Sequence, residues 1–318
     1  MVMAGCPPLL VTIVGPTAAG KTELSLELAE SVGGEIISAD SRLVYRGMDI
    51  GTAKPTLAQR TRVPHHLIDI VDPDDVLTLA QYQRRAYASI DAVTGRGRQP
   101  ILVGGTGQYV RAVVEGWGIP EVPPDHGLRA ELEEYAGHYG ADALHTRLSK
   151  LDPTAAGRID PRNVRRVIRA LEVTLLAGRP ISELQAKSAP PYLILQIGLT
   201  RPRPVLYERI DARIDRMLAS GLLEEVQRLA LVGYGWDLPA MSGLGYRQIG
   251  LYLQEKATLE EAAQFIRRDT RRLVRQQGTW FRLADPHIHW FDLEQVDTGR
   301  VVSFIQAWLA SPRSPHPA

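Results

Sequence analysis

The most specific chemical pattern in the sequence is a glycine-rich loop close to the start of the chain. Residues 15–22 read GPTAAGKT, which matches the phosphate-loop pattern G-x-x-x-x-G-K-[ST] at every fixed position. Glycines let such a loop curl so that its N–H groups point inward, and the following helix adds positive potential. Lys21 would neutralise phosphate oxygens, and the hydroxyl of Thr22 would reach a bound Mg²⁺. We therefore expect phosphate to be held by Gly15, Pro16, Thr17, Ala18, Ala19, Gly20, Lys21 and Thr22.

A carboxylate and a hydroxyl are expected to face this loop. Asp40 ends one apolar run, EIISAD, and Thr106 follows another, PILVGG. In a parallel sheet the ligand crevice lies at the carboxyl ends of the strands, so both side chains should point into the same crevice as Lys21. Asp40 could accept a proton from a nucleophile, or it could only cap the next turn. Thr106 could meet the phosphates or a bridging oxygen, and it could also cap the following helix.

The loop does not by itself specify a nucleoside triphosphate. Nucleotide hydrolases usually hold Mg²⁺ with an acid at the end of a neighbouring strand. Here that position is occupied by Gly104 and Gly105, and we interpret Asp69 and Asp72 as strand-end caps. A different diphosphate is therefore a candidate ligand.

Alternating strands and helices must position these residues. Apolar runs predict strands at 9–15, 35–40, 66–71, 100–105, 193–199 and 287–293, and helical spacing predicts helices at 21–32, 79–93, 107–115, 204–218, 222–232, 259–282 and 300–309. Between residues 120 and 191 the pattern is helical, with proline-rich edges. The predicted fold class is α/β, a P-loop NTPase-like parallel sheet flanked by helices with an all-helical insertion domain. The predicted core domain is 1–119 with 192–318, and the insertion is 120–191.

Arginines recur at helical spacing in two places. The first stripe is Arg162, Arg165, Arg166 and Arg169, and the second is Arg267, Arg271 and Arg275. In a chain whose net charge is only +1, such stripes are typical of surfaces that track RNA phosphates. The alternative is a solvated face on which each arginine pairs with an acid. RNA contact is the favoured interpretation of both stripes.

Length and composition limit the class and the location. The chain has 318 residues and one cysteine, Cys6, so it can form neither an internal disulfide framework nor a zinc knuckle, and a reducing compartment fits. Its apolar start is too short to span a membrane, and no other stretch approaches the roughly 18 apolar residues that a spanning helix needs. We expect no membrane association and a cytoplasmic location.

Taken together, the motifs resemble a known family. GPTAAGKT, ISADSRLVYRGMDIGTAKP and PILVGGTGQY look like the corresponding segments of bacterial tRNA dimethylallyltransferases. Further matches, among them DPRNVRRVIRALEV, GLLEEV, LGY and TRRLVRQQGTWFR, extend the resemblance over nearly the whole chain. The glycine loop alone is widely shared, whereas its combination with DS…Y, GGTG and the TWFR ending is far more specific.

The resemblance implies an activity and a set of residue roles. The loop would hold dimethylallyl diphosphate with Mg²⁺ at Thr22, and Asp40 would be the base for the N6 amine of adenosine 37 in the tRNA anticodon loop. Thr106 would contact the bridging oxygen or the substrate nucleotide. The insertion would grip the anticodon stem, and the family implies a monomer. The residues expected to contact tRNA, the last two from the second stripe, are Asp40, Ser41, Arg42, Leu43, Thr106, Gln108, Arg129, Arg165, Arg166, Arg169, Arg271 and Arg275.

Two positions depart from the family pattern. Leu43 stands where the family usually has Gln, and Gln108 stands where it usually has Leu. If the two positions are neighbours, Gln108 can keep the hydrogen bond to adenine; otherwise base recognition is weaker here. Three alternatives remain at this point: a P-loop small-molecule kinase, an isopentenyltransferase acting on free adenine nucleotides, and a tRNA-binding module without activity.

Overall fold

A six-stranded parallel sheet forms the centre of the fold. The computed structural model describes residues 7–311, and all that follows refers to them. The strands are β1 (Leu9–Val14), β2 (Gly34–Ser38), β3 (His65–His66), β4 (Gln99–Val103), β5 (Leu193–Thr200) and β6 (Ile288–Asp292). Their spatial order is β3-β2-β4-β1-β5-β6, and every neighbouring pair is parallel. The P-loop NTPase-like α/β fold predicted from the sequence is confirmed, and it places the loop after β1 at the middle of the sheet.

Helices cover the sheet on both faces. The chain forms α1 (Lys21–Val32), α2 (Leu57–Arg62), α3 (Leu79–Gly95), α4 (Gly107–Val114), α5 (His126–Tyr139), α6 (Ala141–Leu151), α7 (Pro153–Ala156), α8 (Val164–Ala177), α9 (Ile181–Leu184), α10 (Arg203–Ala219), α11 (Leu222–Leu231), α12 (Tyr246–Leu253), α13 (Leu259–Trp280) and α14 (Thr298–Ala310). Alternate residues of β1 enter different cores, with Val11 and Ile13 on one face of the sheet and Leu10 and Val14 on the other. This is the burial expected of a parallel strand with helices on both sides.

The chain divides into two compact units. One comprises residues up to Val114 together with those from Pro191 onward, and the other is Glu115–Pro190. The sequence-based boundaries lie after residues 119 and 191, so the structure assigns residues 115–119 to the second unit. That unit contains α5 to α9 around its own core, which includes Leu132, Leu148 and Leu171.

The sequence predicts the third strand poorly. A strand was expected over residues 66–71, but β3 covers only His65–His66, and Val71 forms an isolated bridge with Tyr45. The reason is local, because Leu67 and Asp69 have φ values of +62° and +56°, which a strand cannot contain. Asp69 instead binds the buried ammonium of Lys54, at an Nζ–Oδ1 distance of 2.5 Å.

Several helices begin where the sequence supplies a capping box. At the start of α13, the Thr258 hydroxyl accepts from the Glu261 N–H, and the Glu261 side chain accepts from the Thr258 N–H. The same exchange starts α3 at Thr78 and Gln81.

Within residues 7–311, no helix has the length and apolarity that crossing a membrane requires.

A buried carboxylate organises the loop between β2 and α2. Glu225, on α11, is 3% exposed and accepts hydrogen bonds from the backbone N–H groups of Asp49, Ile50 and Gly51. It also accepts from the hydroxyl of Tyr246 at 2.6 Å. The carboxylate thereby fixes one wall of the crevice described below, because Gly51 and Tyr246 both line it.

Replacing Glu225 should therefore destabilise the core unit. Glu225→Ala leaves three amides and a phenol without their acceptor, and we expect the free energy of unfolding to fall by about 3 kcal/mol. Chemical denaturation measures this directly. The adjacent Glu224→Ala is the matched control, since Glu224 is exposed and should change stability by less than about 0.5 kcal/mol. Equal effects of the two substitutions would contradict the assignment.

Candidate active site

The glycine-rich loop connects β1 to α1 and adopts a conformation that its glycines permit. Gly15 and Gly20 have φ values of +138° and +112°, and a Cβ on Gly15 would collide with the Leu199 carbonyl of β5. The first turn of α1 follows immediately, so its unpaired N–H groups lie next to the loop. The structure therefore has the backbone of an anion-binding loop.

The Lys21 side chain folds over this loop. Its Nζ donates to the carbonyl oxygens of Gly15, at 3.0 Å, and Pro16, at 2.7 Å. Burial lowers the pKa of the Lys21 ammonium to about 8, and the negative charge of Asp40 partly offsets that effect. The charges of Asp40 and Lys21 therefore act on each other, in agreement with the strand-end argument.

Three arginines surround the loop from the side of α10. Arg209 donates from Nε to the Ala18 carbonyl at 2.8 Å, and Arg201 donates from Nε to the Ala19 carbonyl at 3.2 Å. Arg213 lies 3.5 Å from the hydroxyl of Thr17, and burial lowers the pKa of its guanidinium while Asp40 raises it. The contacts of these arginines with the loop are not predicted from the sequence, although Arg209 and Arg213 stand four apart and so share one face of α10.

Asp40 and Thr106 meet at the ends of β2 and β4. The Thr106 hydroxyl accepts from the Ser41 N–H at 3.0 Å, and the Thr106 N–H donates to the Ala39 carbonyl at 3.2 Å. Oδ1 of Asp40 accepts from the Arg42 N–H at 2.8 Å. Asp40 therefore caps the turn that follows β2. The negative charge of Asp40 also raises the pKa values of Lys21 and Arg213.

A cavity of about 570 Å³ opens over these groups within the core unit. Among the predicted residues, those that line it are Thr17, Asp40, Ser41, Arg42, Thr106 and Gln108. Its other walls come from residues 51–52, from residues 242–247 and from one side each of α10 and α13, and Arg213 is among the α10 residues that line it. Apolar side chains such as Ile214 and Leu273 stand beside the charged ones, so the cavity suits a ligand with both an anionic and a hydrocarbon part.

The two residues that depart from the family pattern lie in different surroundings. Gln108 is exposed and lines the cavity, whereas Leu43 is half-buried and is not among the described residues that line it. The Leu43 carbonyl accepts from the Asp69 N–H at 3.1 Å. An amide at position 108 is therefore available to a ligand in the cavity.

The donor chemistry at Thr22 suits Mg²⁺ bound together with a phosphate ligand. Thr22 is exposed in the first turn of α1 and offers a hydroxyl oxygen. Mg²⁺ commonly takes one or two protein oxygens and completes its shell with substrate phosphates and water. Among the described residues there is no group of three or more His, Cys, Asp or Glu side chains that could hold a metal.

The second arginine stripe is largely paired with acids. Arg271 on α13 forms an ion pair with Asp211 of α10 at 2.5 Å, and Arg267 does so with Asp215. Arg275 lies 3.5 Å from the hydroxyl of Tyr207. Pairing with acids was only the alternative interpretation of this stripe, because Asp211 and Asp215 are distant from it in sequence. These contacts give the stripe a structural role in joining α13 to α10.

The first arginine stripe lies in the second unit. Some of its arginines pair with acids of the protein, and others are exposed. Arg162 precedes α8, which begins at Val164, and it pairs with Asp160 at 2.7 Å, so the expected four-residue face is wrong at that position. Arg169 and the separately predicted Arg129 both bind Glu172, whose carboxylate is fully buried. Burial alone would raise the pKa of Glu172, but hydrogen bonds from these arginines outweigh it and lower the pKa. Arg165 and Arg166 are exposed.

Fold and site together define a class of protein. It is a P-loop-type α/β protein with a carboxylate near the loop and a cavity lined by both charged and apolar side chains. The comparison with family models makes the assignment specific. The chain belongs to the IPP transferase family, whose model matches residues 43–284. The resemblance drawn from the motifs is thereby confirmed.

Individual relatives agree with this assignment. A tRNA dimethylallyltransferase of Roseiflexus sp. (strain RS-1) is 56% identical over 273 residues, which cover 86% of this chain and 90% of that protein. The crystal structure of the full-length tRNA isopentenylpyrophosphate transferase of Bacillus halodurans superposes with a TM-score of 0.71 at 45% identity, covering 95% of each chain. A eukaryotic dimethylallyltransferase acting on tRNA shares the fold, with a TM-score of 0.83 at 24% identity and coverage of 98% of this chain and 81% of that one.

The half-buried guanidinium of Arg213 should be needed for an anion at the loop. Arg213→Met removes a cation from a poorly solvated site, and we expect the Kd for inorganic diphosphate to rise about 10- to 100-fold. Isothermal titration calorimetry measures this binding.

Arg216→Met is the matched control, since Arg216 is an exposed residue of the same helix and does not line the cavity. An unchanged Kd for Arg213→Met would show that this guanidinium does not face the anion.

Proposed function

We propose that the protein transfers a dimethylallyl group from dimethylallyl diphosphate to the N6 amine of adenosine 37 in the anticodon loop of tRNA. The products are N6-dimethylallyladenosine and diphosphate. The observation that carries this proposal is the single cavity that Asp40 lines together with Thr17 of the phosphate loop and Arg213. The family and the names of its tRNA-modifying members support it over a small-molecule kinase and over transfer to free adenine nucleotides.

The loop and its cations would hold the diphosphate. The diphosphate oxygen gains negative charge as the allylic C–O bond breaks and the bonding electrons leave with it. Lys21, Arg213 and the loop amides would stabilise that charge, and a site of low water content would strengthen the interaction. The Thr22 hydroxyl would hold Mg²⁺, which supplies further charge neutralisation when bound.

Asp40 would take the proton of the nucleophile. The adenine amine is a weak nucleophile because its lone pair is delocalised into the ring. As N6 forms its bond to the allylic carbon, the proton on N6 passes to the Asp40 carboxylate, so charge is balanced on the nucleophile side. Thr106, whose hydroxyl lies at the same edge of the sheet, would contact the bridging oxygen or the nucleotide.

The tRNA would be contacted by both units. At the cavity, Ser41, Arg42, Leu43 and Gln108 are the candidates for contact with the adenosine and its neighbours, of which Leu43 is the least favoured because the described cavity excludes it. Arg165 and Arg166 are the candidates for the anticodon stem, since both are exposed. Arg129, Arg169, Arg271 and Arg275 remain candidates that also have contacts within the protein. Because the proposed substrate is tRNA, we place the reaction in the cytoplasm, and the family resemblance favours a monomer.

Removing the proposed base should abolish transfer without abolishing binding. Asp40→Asn keeps the side-chain oxygen that accepts from the Arg42 N–H but cannot take a proton, so we expect kcat to fall about 10²- to 10⁴-fold. Transfer of label from dimethylallyl diphosphate to unmodified tRNA measures this.

A tRNA without the target adenosine is the substrate control and should accept no label. If wild-type protein transferred no label, but hydrolysed a nucleoside triphosphate or phosphorylated a small molecule, the kinase alternative would replace the transferase.

Two exposed arginines of α8 should account for part of the tRNA affinity. The double substitution Arg165→Ala/Arg166→Ala removes two phosphate contacts, and we expect the slope of log Kd against log salt to decrease by about 2. Filter binding of tRNA over a salt series measures the slope.

Arg162→Ala is the control, because Arg162 is already paired with Asp160 and should change the slope little. Identical slopes for wild type and the double variant would remove α8 from the tRNA-binding surface.

A further inference from the structure

One buried amide joins two loops of the crevice. Gln277, in the last turns of α13, is 7% exposed. Its Oε1 accepts from the Thr17 N–H of the phosphate loop at 2.9 Å, and its Nε2 donates to the Gly105 carbonyl at 3.1 Å. Both ends of the side chain are therefore used, each with backbone of a different loop.

The chemistry of this bridge is specific for an uncharged amide. Thr17 presents a donor and Gly105 presents an acceptor, so the bridging group must both accept and donate. A carboxylate could accept from Thr17 but would repel the Gly105 carbonyl. An apolar side chain would leave both backbone groups unpaired in a buried place.

Gly105 is shaped to receive Gln277. A Cβ on Gly105 would collide with Nε2 of Gln277, so only glycine allows the side chain to approach the turn so closely. Two residues further on, a Cβ on Gly107 would collide with the Trp280 side chain of α13. The helix thus packs directly against the turn between β4 and α4.

The bridge lies between the groups that must act together. Thr17 belongs to the loop proposed to hold the diphosphate, and Gly105 precedes Thr106, whose hydroxyl accepts from the Ser41 N–H beside Asp40. A chain of contacts therefore runs from the phosphate loop through Gln277 to the strand end that carries the base. A shift of about 1 Å between leaving group and base can cost on the order of 100-fold in rate.

We propose that Gln277 is a positioning residue, whose amide sets the separation between the phosphate loop and the Asp40–Thr106 edge. This inference rests on the proposed function, since it concerns the same transfer reaction. Helix α13 would then have two roles, since it forms ion pairs with α10 and also connects the phosphate loop to the turn after β4.

Two substitutions test the bridge in the full-length protein. Gln277→Met keeps the length of the side chain and removes both hydrogen bonds, and kcat for transfer to tRNA should fall about 100-fold. Gln277→Glu keeps the shape of the side chain and replaces only the Nε2 donor with a carboxyl oxygen. The loss of kcat in this variant should therefore depend on pH. When the introduced carboxyl is protonated it can again accept from Thr17 and donate to Gly105, which restores the bridge.

The decisive readout is the ratio of kcat for Gln277→Glu to kcat for wild type at each pH. The ratio should be low at high pH and should rise about tenfold per pH unit as the pH falls toward the pKa of the introduced carboxyl, which burial raises. Gln277→Met should show no such recovery. A merely structural role would lower the melting temperature but leave this ratio flat across pH.

Gln264→Glu is the matched control, because Gln264 is an exposed residue of the same helix and introduces the same charge. Its ratio should stay near one at every pH. If both Gln277 variants transferred the dimethylallyl group with the kcat of wild type, the inference about Gln277 would be overturned and the proposed function would stand. If wild type transferred no dimethylallyl group, the proposed function would fall, and the affinity of the same variants for inorganic diphosphate would still decide whether the bridge shapes the loop. Should Gln277→Met fail to fold, the Gln277→Glu series decides.

Discussion

The structure depends on keeping several positive charges close together in a site shielded from water. Lys21 and Arg213 are both half-buried, and partial removal from water lowers the pKa of each. Carbonyl oxygens of the phosphate loop accept from Lys21, and Asp40 supplies a negative charge nearby. Since removing a cation from water is costly, this cluster is stable only with such partners, and it provides a preformed site for an anion. The carboxylate that offsets the cations is therefore the same one that we propose as the proton acceptor.

Helix α13 is the element that holds this arrangement from outside the sheet. Its ion pairs from Arg267 and Arg271 fix it to α10, which carries Arg213, and Gln277 fixes it to the phosphate loop and to the turn after β4. Glu225 acts in a comparable way on another wall by accepting from three successive amides. Gln277 and Glu225 are both polar side chains that bind backbone groups far away in the sequence, so long-range hydrogen bonds help to shape the crevice.

Much of the fold and part of the site could be predicted from local signals. Apolar runs, capping boxes and the glycine pattern locate β1, α1, α3 and α13 within a few residues, and the strand-end rule places Asp40 with Lys21. What could not be predicted depends on partners distant in sequence. Gln277 lies 260 positions from Thr17, and nothing in its own neighbourhood distinguishes it from Gln276. The β3 error has a different origin, since hydropathy does not report the left-handed backbone of Leu67 and Asp69.

The arginine stripes show why periodicity alone cannot assign RNA contacts. Helical spacing tells which side chains share a face, but not which acids oppose them. Arg129 and Arg169 bind a buried Glu172, so removing either leaves a buried carboxylate short of a partner, and any loss of RNA binding would be mixed with loss of stability. Arg165 and Arg166 have charges that the surrounding solvent can screen, and only such exposed cations release counterions in proportion to the phosphates they meet. The salt dependence of binding therefore distinguishes arginines that read RNA from those that hold the fold, which affinity by itself does not.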